Sequence, residues 1–209
     1  SEKGGYIDRF RNRVIIPIQN ETSELVSFRA RTRETDPNVK ISKYLNSSDS
    51  LIYNKSKILY GLYTAKEAIK ENDSVILMEG YFDVISSQAH GIENCVASCG
   101  TSLTPDHVKL LSRYTKSRRI YLSFDTDSAG QKATARGAAI IKEVFAGLGN
   151  IKQFDESYVS SDNDKYACEI RVIAPPEGKD PDEFVRSVGA DAYKMYMDNA
   201  PLFIDFQLE

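Results

Sequence analysis

Ser74–Asp83 reads SVILMEGYFD. The apolar run Val75–Met78 stops at Glu79, a glycine follows, and a helical pattern carrying Asp83 begins. The arrangement recurs downstream. Ile120–Phe124 closes on Asp125-Thr126-Asp127 and then on Ser128-Ala129-Gly130. Short continuous apolar runs bounded by turn residues are the pattern of strands buried on both faces.

Outward from this stretch, strand and helix alternate. The spacing predicts a helix over Tyr81–His90, with Val84, Ile85 and Ala89 inward and Gly91 as its stop. Cys95–Ser98 reads as a second buried strand. Thr104 caps the next helix, which has Pro105 at its first position and runs to about Tyr114. Arg119–Phe124 is a third strand, Ala129–Phe145 a long helix rich in alanine, and Cys168–Ala174 a fourth strand. Pro181–Val188 is a short helix and Ala190–Phe206 further helix. Asn150–Tyr166, polar and rich in Ser and Asp, reads as an exposed insertion. The expectation is an α/β fold, a mainly parallel sheet flanked by helices.

In such sheets ligands bind outside the carboxyl ends of the strands. Glu79, the Asp125/Asp127 pair and the Asp180/Asp182 pair all fall just past predicted strand ends. An acid-x-acid pair can turn both carboxylates toward one ion, and hard oxygen ligands suit Mg2+ or Mn2+. Gathered on one rim, these acids repel one another unless cations intervene. Two divalent ions roughly 4 Å apart can activate a hydroxyl and neutralise a phosphate during in-line displacement. An acid after a strand also caps helices, a reading that applies to Asp83, Asp127 and Asp182 as much as the metal reading.

The chain before Ser74 differs in character. Arg9, Arg11 and Arg13 lie near Tyr6 and Phe10; Val14–Ile18 reads as a strand ending near Pro17, Glu21–Ser23 as a turn, and Leu25–Arg31 as the return strand. Arg29, Arg31 and Arg33 alternate, so they can share one face. Thr32–Asn46 lacks periodicity and reads as a loop, with Lys43-Tyr44 near its end. Lys55 and Lys57 lie between Tyr53 and Tyr60, and Tyr63–Lys70 forms a short amphipathic helix. Cations interleaved with aromatics suit phosphates and stacked bases of a single strand; a merely solvated strand face is the bland alternative. The expected domains are a basic subdomain over 1–73, an α/β domain over 74–189 and the start of a helical subdomain over 190–209.

At 41% hydrophobic and 27% charged residues the chain should fold as ordinary globular protein, and its net charge of −3 puts any phosphate-binding face in a local patch. Cys95 and Cys99 have the spacing of half a zinc site, but His90 and His107 form no second cluster, so no zinc is expected. Sparse cysteines suit a reducing cytoplasm. No stretch reads as a membrane span. The abrupt start at Ser1 and the end at Leu208-Glu209 suggest a piece of a larger protein.

Glu79-Gly80-Tyr81-Phe82-Asp83 and Asp125-Thr126-Asp127-Ser128-Ala129-Gly130 resemble the two signature motifs of Toprim domains. YIDRFRNRVIIP (Tyr6–Pro17), KYLNS (Lys43–Ser47), LYGL (Leu59–Leu62), VASCGT (Val96–Thr101) and KDPD (Lys179–Asp182) look like the RNA-polymerase core of bacterial DnaG-type primases. The resemblance implies a metal-dependent nucleotidyltransferase making short RNA primers on a single-stranded DNA template from ribonucleoside triphosphates, with a replicative helicase as partner through regions outside this chain. It further implies Glu79, Asp125 and Asp127 as catalytic and metal-binding acids, Asp83, Asp180 and Asp182 as further members of the cluster, and Arg31, Lys43, Tyr44 and Lys55 as nucleotide and template contacts. A monomer working in the cytoplasm, at the nucleoid, is expected. Thr126 stands where the family usually has glycine, and Phe28-Arg29-Ala30-Arg31 where it often has Phe-Gly-Gly-Arg. A Toprim nuclease and a replication DNA-binding module without catalysis are the alternatives. An Asp-x-Asp phosphatase, with Asp125 as nucleophile, is a more distant one.

Overall fold

Alternating Arg and apolar residues near the N-terminus pair into an antiparallel hairpin, the simplest way for such a segment to satisfy its backbone. In the computed structural model, which describes residues 4–36, 38, 40–98, 100–125, 128–148, 168–174 and 181–208, β1 (Arg13–Gln19) pairs with β2 (Leu25–Thr32). β3 (Tyr44–Asn46) joins the other edge of β2, giving the order β1-β2-β3. Within the polar turn, the Asn20 side chain accepts the backbone N–H of Thr22 and of Glu24. Two expectations change. β1 runs through Pro17 to Gln19, because an edge strand has one side without ladder bonds and tolerates a missing N–H. Tyr44–Asn46, expected in a loop, is a strand. Its three residues are too few for sequence periodicity, and it is held by pairing with Arg29–Arg31.

These strands belong to one of two compact units, Ser1–Asn54; the other is Lys55–Glu209. Residues 55–73, read from sequence with the basic half, pack within the second unit. There β4 (Leu59–Tyr60) leads into α1 (Leu62–Asn72), followed by β5 (Ser74–Met78), α2 (Tyr81–Ala89), β6 (Cys95–Ser98), α3 (Pro105–Leu111), β7 (Arg119–Ser123), α4 (Ser128–Leu148), β8 (Glu169–Val172), α5 (Pro181–Asp198) and α6 (Phe203–Phe206). The sheet order is β4-β6-β5-β7-β8, with β6, β5, β7 and β8 parallel and only the two-residue β4 antiparallel. This is the expected mainly parallel α/β architecture.

All five residues of β5 are buried, as its central position requires. Successive side chains point to opposite faces. Val75 and Leu77 pack with Val96, Ile120, Leu122, Ile170 and Val172 against α1, α3 and α4 residues such as Ile69, Leu111, Ile141 and Phe145. Ile76 and Met78 pack with Cys95, Ala97 and Tyr121 against Val84 of α2 and Phe184, Val185 and Tyr193 of α5. Burying one such aliphatic side chain contributes about 1.5–3 kcal/mol, so two apolar layers, not hydrogen bonding, drive this unit together. α3 ends at Leu111, earlier than its pattern suggests. α5 kinks at Gly189, whose φ of 77° lies in the left-handed region, and this matches the expected break between Val188 and Ala190. The 150–166 insertion lies outside the described residues.

Candidate active site

In the ladder between β5 and β7, Met78 stands opposite Ser123. Glu79 and Phe124 therefore leave the sheet side by side, and Asp125 follows one residue later. The path of the chain makes this gap special. From β5 it passes through α2 to β6 on one side, then through α3 to β7 on the other. Connections diverge between β5 and β7, so a crevice opens there: the topological switch point where open α/β sheets place ligands. Glu79 is exposed and Asp125 half-buried at this point.

Local packing explains how each turn is built. After β5, the buried Asp83 carboxylate reaches back and accepts the Gly80 N–H at 2.8 Å, closing the first turn of α2. Asp83 thus has a structural duty at the cap, as one of its two sequence readings required. After β7, a Cβ on Gly130 would collide with the Asp125 carbonyl oxygen. Glycine lets the first turn of α4 press against the Asp125 backbone. The Thr134 hydroxyl then donates to the Gly130 carbonyl at 2.9 Å. From the other layer, the buried Tyr193 hydroxyl donates to Ser123 Oγ at 3.0 Å, tying α5 to the last residue of β7. Burial pushes the Tyr193 phenol up from its ordinary pKa, so it stays a neutral donor.

Asp182, in the first turn of α5, is half-buried and pairs with Arg186 one helical turn later at 2.8 Å. Asp127 and Asp180 lie outside the described residues, so of the sequence-read acids the structure brings only Glu79 and Asp125 to adjoining strand ends. Among the described residues no three His, Cys, Asp or Glu side chains group as a metal centre. The donors that are placed are carboxylate oxygens, which fit Mg2+ or Mn2+ and not a soft metal. Cys95 is a core residue: its thiol donates to the Ile92 carbonyl at 3.1 Å, and burial pushes its pKa up.

The basic residues divide between the units. In the first, Arg31 is paired with Tyr44 across β2 and β3, and opposite residues share a face. Arg29 lies on the same face with its guanidinium 4.5 Å from the Tyr44 ring centre, and Lys43 Nζ is 5.8 Å from that ring. Arg9 donates to the Asn46 carbonyl at 3.0 Å, so this N-terminal cation is anchored to β3. In the second unit Lys55 is exposed, and its backbone is clamped by the start of α3. His107 Nε2 lies 3.0 Å from the Lys55 carbonyl, and the Thr104 hydroxyl donates to the Ser56 carbonyl at 2.6 Å. The Thr104 N–H donates to His107 Nδ1, so the ring proton sits on Nε2 and donates to Lys55. Burial pushes the His107 pKa down, which keeps the ring neutral.

The sequence places Gly130 in the second motif and offers His107 only as a zinc ligand, without giving either its supporting role, and it does not single out Tyr193. Thr104 with His107 three residues on is a recognisable capping spacing, and Gly130 stands two residues into a helix where glycine is otherwise costly. Tyr193 has no local signal, since its partner is distant in sequence.

Two family models match in tandem: Toprim-like over residues 76–185, and DNA primase catalytic core, N-terminal domain, over residues 1–66. The chain belongs to the Toprim-like family. Within that family it aligns with the catalytic cores of bacterial DnaG-type primases. It is 38% identical over 205 residues to the DNA primase of Synechococcus elongatus, covering 98% of this chain and 26% of that protein. The crystal structure of the Aquifex aeolicus primase zinc-binding and RNA polymerase domains superposes with a TM-score of 0.80 at 33% identity, covering 98% of this chain and 44% of that one. A DnaG primase catalytic domain bound to single-stranded DNA gives a TM-score of 0.74 at 32% identity, over 97% and 57% of the two chains. The chain spans about a quarter of the length of the curated relatives it matches.

Proposed function

We propose that this chain is the catalytic core of a DNA primase, joining ribonucleotides on a single-stranded DNA template. The observation that carries the reading is the placement of Glu79 and Asp125 at adjoining strand ends of the switch point, in a chain whose two halves match the two parts of a primase core. Glu79, Asp125, Asp127, Asp180 and Asp182 are the proposed acidic set, with Asp83 behind them at the helix cap. Two or more Mg2+ or Mn2+ ions held by these acids would neutralise phosphate charge and lower the pKa of the attacking hydroxyl. In the reaction a primer 3′-hydroxyl gives up its proton to solvent, its oxygen bonds to the α-phosphorus of a ribonucleoside triphosphate, the bond to the β-phosphate bridge breaks, and pyrophosphate leaves. Arg31, Lys43 and Lys55 supply positive charge to nucleotide and template phosphates, and the Arg29-backed ring of Tyr44 offers a stacking surface. The role is cytoplasmic, at the replication fork and its nucleoid. The core acts as a monomer, and the replicative helicase engages parts of the whole protein beyond this chain.

The test is primer synthesis by the whole protein carrying Asp125→Asn or Glu79→Gln. Loss of about 1,000-fold in rate with an unchanged melting temperature supports the assignment, equivalent to about 4 kcal/mol of transition-state stabilisation. Wild-type rates in both variants overturn the site. Strand cleavage without synthesis by the unmodified protein would turn the reading to a Toprim nuclease.

A further inference from the structure

The opposite end of the parallel sheet carries a second charged feature. Asp73 immediately precedes β5 and Arg118 immediately precedes β7, so both lie at the amino end of strands whose carboxyl ends lead to Glu79 and Asp125. Five residues of strand separate the two ends by roughly 15–20 Å. At the amino end a cavity of about 720 Å³ is lined by Lys70, Arg113, Lys116 and Arg118, with Asp73 as the one carboxylate and Tyr114 as the one ring. We propose that this cavity binds the phosphate groups of a nucleotide, as a site separate from the catalytic rim.

The carboxylate in the lining is committed to the fold. Asp73 accepts the Lys116 N–H at 2.6 Å, the Ser117 N–H at 3.0 Å and the Thr115 hydroxyl at 3.1 Å. Burial alone would raise its pKa. The N–H groups of Ser117 and Lys116, with the Thr115 hydroxyl, outweigh that and hold it below the ordinary carboxylate range. Asp73 therefore shapes the 115–117 turn that presents Lys116, and its charge is spread over three donors. Lys70 and Arg113 sit near the ends of α1 and α3, where cations also balance the helix dipoles. Lys116 and Arg118 follow no helix. Arg118 adopts φ 55°, a left-handed conformation that a non-glycine residue keeps only when its surroundings hold it. Lys70 is also ion-paired with Glu67 at 3.0 Å, and Arg118 lies 5.1 Å from the Phe145 ring centre. With Arg113 and Lys116 they line a cavity within the 300–1,000 Å³ range of small-ligand sites, where phosphate oxygens can meet several cations at once.

The experiment is titration of the 209-residue chain with ATP in EDTA at low ionic strength, so that metal-dependent binding at the rim is silent. Arg113→Ala with Lys116→Ala should weaken ATP at least tenfold, while Lys109→Ala, a cation of α3 outside the cavity lining, should leave it unchanged. Lysine acetylation of the unmodified chain adds a readout that needs no variant: ATP should protect Lys116 and Lys70. A 12-residue oligo-dT that displaces ATP with higher affinity assigns the phosphates to a strand; failure to displace it assigns them to a free nucleotide. ATP affinity unchanged in the double variant, with Lys116 unprotected, overturns the proposal. ATP binding lost instead with Lys43→Ala would place the phosphates in the basic half and also overturn it.

Discussion

The turns after β5 and β7 begin from nearly the same string, an apolar run, an acid and a glycine, yet they are built differently. After β5, Glu79 faces outward while Asp83, four residues later, folds back onto the Gly80 N–H. One acid stays at the rim and the other holds the helix. After β7, the backbone does the holding, because α4 lies against the Asp125 carbonyl and only a glycine at 130 leaves room for it. The difference teaches that an acid next to a strand end is not by itself a site residue. Its role depends on whether a neighbouring group already satisfies the start of the helix.

The sharpest way to break the comparison is Gly130→Ala. The new Cβ meets backbone and not a movable side chain, so the turn must shift, and a loss of about 3 kcal/mol in stability is expected by denaturant unfolding. Asp83→Ala removes a side-chain cap and should cost about 1.5 kcal/mol. Asp83→Asn, which can still accept the Gly80 N–H, should recover at least half of that. Primer synthesis by the Asn variant sharpens the distinction: activity within about fivefold of wild type, roughly 1 kcal/mol, fits a capping residue, and loss comparable with Asp125→Asn would move Asp83 into the metal set. Tyr193→Phe should cost about 1 kcal/mol by leaving the buried Ser123 hydroxyl without its donor, and adding Ser123→Ala should return part of it, as a double-mutant cycle would show.

The smallest effect is a pH dependence at His107. Its pKa is pushed down in the fold by burial, so the unfolded chain binds the proton more readily. Stability is complete above the ordinary imidazole pKa of about 6.5 and falls as the pH drops below it. A loss of about 1 kcal/mol between pH 7 and pH 5.5 is expected by thermal melts, and His107→Asn should flatten it. An unchanged slope in that variant would remove His107 as the clamp on Lys55.

Much of this could be read along the chain. The run Val75–Met78 is too short and too apolar to be anything but a buried strand in its context, and Thr104-Pro105 marks a helix start wherever it occurs. Other elements escaped such reading. Tyr44–Asn46 is a strand only because β2 offers it an edge, and residues 55–73 join the α/β unit because α1 finds its apolar partners on that sheet. The sequence also left Asp83 open between helix cap and metal ligand, since capping and ligation ask for the same carboxylate.

By itself, then, the sequence determined the alternation of strand and helix, the acids Glu79 and Asp125 past strand ends and the basic segment before them, because periodicity, caps and composition act over a few neighbouring residues. Tertiary structure alone decided that β5 and β7 are adjacent with Met78 beside Ser123, that Asp83 turns inward, and that Tyr193 ties α5 to the end of β7. Those outcomes depend on strand order and on contacts as far apart as 70 residues, which no local pattern encodes.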